Sequence, residues 1–267
     1  LTVFKKNHKG LQRNVGLSLG QTMYTPLDID HTDLITNDRP YAGWLYGGIG
    51  YHSKNANQLD SMEINLGIVG SASLAHEAQD FIHDLRGFKK FQGWDNQLSN
   101  EIGIDIVYEH KNKYLRETYS RGFGYDAITH FGASLGNVAT YLNGGIELRS
   151  GWNIPADFGT SAVRPGGDNA APGSSWDSRL SNKRILVLHL FTALDARWVL
   201  RDVFLDGNTF SDRHSVDKKP LVADMSVGIS LSYSKLKFSY AQIFRTKEYN
   251  SQLSSHSYGS LSISLTF

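Results

Sequence analysis

Apolar and polar residues alternate along most of the chain, which predicts β-strands with one apolar and one polar face. The pattern is clearest over residues 260–267, where serines and a threonine alternate with Leu, Ile, Leu and a terminal Phe. Similar alternation predicts strands near 14–24, 41–52, 59–70, 99–111, 123–136, 139–150, 183–199, 219–233, 235–247 and 256–267. Residues 1–4 resemble the end of one more strand.

The length of these segments favours a membrane environment over a soluble β-sandwich. They run to about 10 to 13 residues, whereas soluble strands centre on about 5 to 6 and lipid-spanning strands need about 9 to 11. Aromatic residues near strand ends fit a membrane girdle: Tyr51, Tyr108, Trp198, Tyr233 and Phe267. We therefore predict an all-β protein, a transmembrane antiparallel β-barrel forming a single domain over residues 1–267. Closure favours an even number of strands, so we expect about twelve, the first lying ahead of residue 1.

One segment, residues 73–87, has the period of a helix instead. At helical spacing, apolar side chains gather on one side: Leu74, Ala78, Phe81, Ile82 and Leu85. His76, Gln79 and His83 fall on the opposite side. We expect the apolar side to pack on the rim or meet lipid and the polar side to look toward the lumen. A merely solvated polar face is the alternative.

The strand count assigns the connections to the two membrane sides. If the last strand ends in the periplasm, connections 25–40 and 71–98 are extracellular, so the short helix stands at the outer mouth. Connections 53–58 and 234–235 are then periplasmic, which fits their shortness. The same parity places the long connection 152–182 in the periplasm, where turns are usually short.

Composition removes several classes of function. The 27 Lys and Arg residues nearly balance 26 Asp and Glu residues, so we expect no nucleic-acid partner. The chain has no Cys, which excludes disulfides, thiolate metal sites and thiolate nucleophiles.

Several short motifs are weak. Residues 16–20 and 132–136 match Gly-x-Ser-x-Gly, but each lies inside a strand rather than at a strand-to-helix turn. His76 begins a pattern like a zinc-protease helix, yet Asp80 stands where the second His belongs. The acidic loop 28–33 could help hold a hard cation such as calcium, or could simply be solvated.

Two turns next to the helix carry candidate binding residues, in segments 37–46 and 93–98. Arg39 could bind a phosphate through two parallel hydrogen bonds, and Tyr41 and Trp94 could contact acyl chains or sugar. In the structural alternative, Arg39 pairs with its neighbour Asp38 and Trp94 anchors the loop.

Together, segments 21–26, 37–46, 67–70, 79–83 and 93–97 resemble, in the same order, the outer-membrane lipid A 3′-O-deacylase family. The resemblance implies a twelve-stranded barrel that hydrolyses the ester of the 3′ acyl group of lipid A and depends on calcium. It implies lipid A, or lipopolysaccharide, as substrate and outer-membrane lipid as surroundings. It also implies a bacterial outer-membrane location with the site at the extracellular mouth. We expect a monomer.

The resemblance also implies site residues. His83 stands at the position of the essential His, with Gln79 one turn earlier, and its imidazole would act as general base toward water. A cation or fixed donors would stabilise the oxyanion. No role is implied for His76. The family's Asn-Asp pair and a hydroxyl residue on its first two strands should precede Leu1, so the metal ligands are unknown.

Two further classes stay open. One is an outer-membrane phospholipase with a Ser-His pair, although no Ser is convincingly paired with a His. The other is a non-enzymatic porin or structural barrel.

Overall fold

The computed structural model describes residues 5–6, 11–119, 122–160 and 185–265. Within these ranges, eleven strands form one sheet in the order of the sequence, each antiparallel to the next. The strands are β1 (Lys5–Lys6), β2 (Gln12–Tyr24), β3 (Ala42–Lys54), β4 (Gln58–Val69), β5 (Glu101–Thr118), β6 (Phe123–Gly136), β7 (Ala139–Trp152), β8 (Leu186–Asp202), β9 (Leu221–Tyr233), β10 (Leu236–Arg245) and β11 (His256–Leu265). The helices are α1 (Ala75–Arg86) and α2 (Val203–Asp206), with 3-10 turns at Ser71–Ser73 and Trp94–Asn96.

The ten full-length strands confirm the predicted segments to within a few residues, except that β5 continues to Thr118. A register shift between Tyr114 and Glu117 breaks the alternation there. The predicted stub at residues 1–4 lies outside the described residues. In the described chain, β1 pairs with only Gln12 and Arg13 of β2, and no strand pairs with the free edge of β11. The additional strand that would complete twelve belongs at this position, and it stays a prediction.

The sheet buries its polar side chains and exposes its apolar side chains, which is the reverse of a soluble protein. Along β4, Ser61, Glu63 and Asn65 are buried, while Met62 and Ile64 between them are about half exposed. Leu19 on β2 is 84% exposed. An apolar outside around a polar inside is the arrangement that a barrel needs in lipid. Neither helix in the described ranges has the length and apolar character to cross a membrane.

The interior of the barrel is filled by charged side chains. Arg245 of β10 donates to Asp224 of β9 at 2.7 and 2.8 Å, and Arg197 of β8 also binds Asp224. One step further, Asp195 lies 2.7 Å from His130. These inward-facing groups of opposite charge therefore pair with one another across the interior.

Of the segment after β7, residues 155–160 are buried at the end of the barrel opposite to α1. Asp157 is fully buried and binds Arg149 of β7 and, at 3.1 Å, Lys237 of β10. Arg149 also donates to both oxygens of Asp126 at 2.8 and 2.6 Å. Strands β7 and β8 meet at this end, as parity predicted, and most of the predicted 152–182 connection lies outside the described residues.

Replacing Arg149 should destabilise the barrel strongly. In Arg149→Met, Asp126 and Asp157 stay buried without the guanidinium that binds both of them, so we expect a loss of about 3 to 5 kcal/mol. Urea unfolding in lipid vesicles, followed by Trp fluorescence, measures this loss. Lys235→Met, in the exposed turn between β9 and β10, is the matched control and should change stability by less than about 0.5 kcal/mol. Equal unfolding midpoints for the two variants would contradict the account.

Candidate active site

The helical loop rests on the outer side of the barrel wall. Gln21 of β2 donates to the carbonyl oxygen of Ser73 at 2.6 Å, and a Cβ on Gly43 of β3 would overlap Ala75 and Ser73. Gln21 and Gly43 alternate with the inward-facing residues of their strands, so they belong to the outward face. This contact corrects the expectation that the polar face of α1 looks into the lumen.

The polar side of α1 is the side that packs. Gln79 Oε1 accepts a hydrogen bond from Trp94 Nε1 at 2.9 Å, and the His76 ring stacks on Trp94 at 5.5 Å between centroids. Trp94 is buried against Tyr41 and Ala75. Trp94 therefore lies where the structural alternative put it, as a residue that anchors the loop, and Tyr41 packs beside it.

The apolar side of α1 is exposed. Its exposed fractions are 53% for Leu74, 66% for Phe81, 47% for Ile82 and 73% for Leu85. Of the two expectations for this side, packing on the rim or meeting lipid, its exposure does not support the first, because the small Ala75 occupies the contact with the wall. An exposed apolar stripe next to a lipid-facing wall has the character of a surface that meets acyl chains.

His83 lies in the last turn of α1 and is held by the chain that follows it. Gly87 ends the helix with φ at 66°, and the chain turns back so that the carbonyl oxygen of Lys89 lies 2.5 Å from His83 Nδ1. The rings of Phe88 and Phe91 lie 5.8 and 5.7 Å from the imidazole, centroid to centroid. His83 is partly exposed, so one side of its ring is accessible.

Arg39 is buried and lies away from α1. Its Nη2 is 2.5 Å from Glu248 Oε2, in the loop after β10, and its guanidinium lies over the Tyr24 and Tyr249 rings. Burial alone would lower the pKa of Arg39, but the Glu248 carboxylate raises it above its ordinary value. Burial would raise the pKa of Glu248, and Arg39 and Arg245 bring it below its ordinary value. Arg39 therefore joins two loops on the helix side of the barrel.

Asp38, next to Arg39 in the sequence, makes a second link between the same two loops. The Tyr249 hydroxyl donates to Asp38, and burial together with this bond raises the pKa of Tyr249 to about 12. The structural alternative paired Arg39 with Asp38. The Arg39 backbone N–H does donate to Asp38 at 2.8 Å, but the Arg39 guanidinium binds Glu248, and the Asp38 carboxylate also accepts from Tyr249. Sequence reasoning missed both partners, because more than 200 residues separate each from its mate and no local signal marks them.

The acidic loop does not form a calcium site with the residues described. Asp30 pairs with Lys89 at 2.5 Å, and an Asp28 oxygen accepts from the Asp30 backbone N–H at 3.0 Å. Across the described ranges, no group of three or more His, Asp or Glu side chains is placed to hold a metal ion. The described residues therefore identify no ligand set for the calcium that the resemblance implies, and its ligands stay unknown.

The two Gly-x-Ser-x-Gly serines lie within strands, as expected for fortuitous matches. Ser18 donates to Glu63 at 3.3 Å and Ser134 to the Ala139 carbonyl oxygen at 3.0 Å. Neither stands at a strand-to-helix turn. The phospholipase alternative gains no support from either serine.

An antiparallel barrel with an apolar outside and a filled, charged inside defines a β-barrel of the outer-membrane class. The chain belongs to the LpxR family: the family described as outer membrane protein LpxR matches residues 1–267. The structure is also similar to LpxR from Salmonella typhimurium, with a TM-score of 0.79 and 19% identity, covering 100% of this chain and 87% of that one. At that identity the similarity shows a shared fold. No match was found among curated proteins. The family resemblance predicted from the sequence is confirmed.

A side chain at Gly43 should release the helical loop from the wall. Gly43→Val would overlap Ala75 and Ser73, so we expect α1 to detach and trypsin to cleave faster within the 70–100 connection. Gly47→Val is the matched control on the same face of β3, where a Cβ would come no closer than 3.9 Å to the Ser18 carbonyl oxygen. Identical cleavage rates for the two variants would show that α1 does not depend on this contact.

Proposed function

We propose that this protein is an outer-membrane lipid A deacylase that removes the 3′-linked acyl or acyloxyacyl group as a carboxylic ester hydrolase. Membership of the LpxR family supports this proposal most strongly. The position of His83 on a helix that is exposed beside the outer wall supports it further. The reaction would modify lipopolysaccharide from the outer face of the membrane.

In the proposed reaction, His83 acts as general base. Its imidazole takes a proton from a water molecule while the water oxygen attacks the ester carbonyl, giving a tetrahedral intermediate. Collapse of the intermediate breaks the bond between the carbonyl carbon and the sugar oxygen. The sugar oxygen takes the proton from the His83 imidazolium, which restores the neutral base, and the acyl chain leaves as a fatty acid. An imidazole suits this role because its ordinary pKa lies near neutral pH.

Gln79 is the proposed partner of His83 in the site. It lies one helical turn earlier, and its Oε1 is engaged by the Trp94 indole at 2.9 Å. The amide Nε2 is therefore the group that it can offer to the water or to the developing oxyanion. Trp94 would set the orientation of this amide, which is a positioning role.

We propose that substrate reaches the site from the lipid leaflet. The lumen is occupied by paired side chains such as Arg245 and Asp224, whereas the exposed side of α1 continues the apolar outer surface. Direct contacts of Arg39, Tyr41 and Trp94 with lipid A stay predictions. The buried positions of these three residues favour support of the loops over a first contact with substrate.

The porin alternative is weaker because the barrel is filled. Inward-facing Glu63, Asp105 and Arg149 are each 5% exposed or less, whereas residues that line an aqueous channel are solvated. The structural-barrel alternative does not explain the partly exposed His83. A monomeric state is part of the proposal. Calcium dependence stays a prediction, and no step above is derived through calcium.

Removing His83 should abolish hydrolysis without unfolding the barrel. With purified protein in detergent micelles and lipid A as substrate, His83→Ala should release no detectable fatty acid while its heat-modifiable gel migration persists. Glu77→Ala, at an exposed position in the first turn of the same helix, should keep most of the activity because Glu77 has no part in the proposed reaction. Full activity in His83→Ala would show that His83 is not the general base.

A further inference from the structure

The turn after α1 brings a backbone carbonyl against one ring nitrogen of His83. His83 Nδ1 lies 2.5 Å from the Lys89 carbonyl oxygen. A carbonyl oxygen can only accept a hydrogen bond, so the nitrogen facing it must carry the proton. In a neutral imidazole, the other nitrogen then holds the lone pair.

We propose that the Lys89 carbonyl is the positioning group of the site, which fixes His83 in the Nδ1–H tautomer and makes Nε2 the proton-accepting atom. The Nε2 assignment rests on the proposed function, whereas the tautomer does not. In the chain as described, Nε2 has no hydrogen-bond partner, so it is available to water. The carbonyl would also stabilise the imidazolium, because its bond to Nδ1–H becomes charge-assisted when Nε2 takes a proton.

The segment that carries this carbonyl is fixed from two sides. Lys90 Nζ returns to α1 and lies 2.8 Å from Asp84 and 3.4 Å from Asp80. On the other side, Lys89 Nζ is 2.5 Å from Asp30, and the Gln92 backbone N–H donates to the Ile29 carbonyl oxygen at 3.1 Å. The acidic loop considered for a cation thus holds the chain that positions His83.

Gly87 is the residue that permits this turn. Its φ of 66° is in the left-handed region, and the backbone N–H of Phe88 donates to the His83 carbonyl oxygen at 2.8 Å directly after it. A Cβ added at Gly87 would meet nothing within 4 Å, so a substitution acts through backbone conformation alone. Asn adopts positive φ readily and Val does not, which makes them a matched pair.

The test measures the tautomer and the rate together. In two-bond 1H–15N spectra of the 15N-His-labelled full chain in micelles, assigned with His83→Gln, we expect the Nδ1–H tautomer for the wild type and Gly87→Asn. Gly87→Val should lose the Lys89 contact and populate the Nε2–H tautomer. Its kcat toward lipid A should fall by about tenfold or more with little change in KM, because a wrong tautomer disables the base.

A wild-type His83 in the Nε2–H form would overturn the inference. A Gly87→Val protein that populates the Nε2–H tautomer with an unchanged kcat would also overturn it. If the Nδ1–H tautomer is found but no variant hydrolyses lipid A, the proposed function fails while the positioning by Lys89 stands.

Discussion

The missing side chain at Gly43 determines where the candidate site can lie. Because the outward face of β3 is bare at this point, Ser73 and Ala75 press directly against the wall and α1 begins outside the barrel. Everything else in the site follows from this contact. The Trp94 indole fills the space beside Ala75, Gln79 meets the indole, and His83 falls one turn further along the same side.

The filled interior complements this arrangement. Buried charges cost desolvation energy, so each must be paired by a neighbour with good geometry. The chain meets this requirement with Arg245 and Asp224 in the wall, and with Arg149 and Asp157 where the segment after β7 folds inward. A barrel built in this way cannot offer a wide lumen to substrate. In the function that we propose, the reaction would therefore take place at the outer rim, beside the helical loop.

The strands could be predicted from the sequence because one face of each strand meets lipid and the other meets the polar interior. Apolar and polar residues therefore alternate along each strand. The exception, the end of β5, follows a register shift between Tyr114 and Glu117 that interrupts the alternation. The position and faces of α1 were also predictable from spacing. Which face packs was not, because periodicity identifies two faces but not what surrounds each one. In a membrane protein the apolar side of a rim helix can be the one turned outward.

The contacts between distant segments lay beyond sequence reasoning. Arg39 meets Glu248 across 209 positions, and nothing near either residue indicates the other. The Lys89 carbonyl is a backbone atom, which no residue pattern can identify as a partner of His83. Its position depends on the left-handed turn at Gly87 and on the anchor at Asp30. The part of the site nearest to His83 is therefore supplied by the fold rather than by conspicuous side chains.

The most direct test of the account is mass spectrometry of lipid A from bacteria whose outer membrane contains this protein. The account predicts a new lipid A species that has lost the mass of its 3′ acyl or acyloxyacyl group and keeps its other chains. Lipid A of unchanged mass, from cells in which the barrel is shown to be inserted and folded, would contradict it.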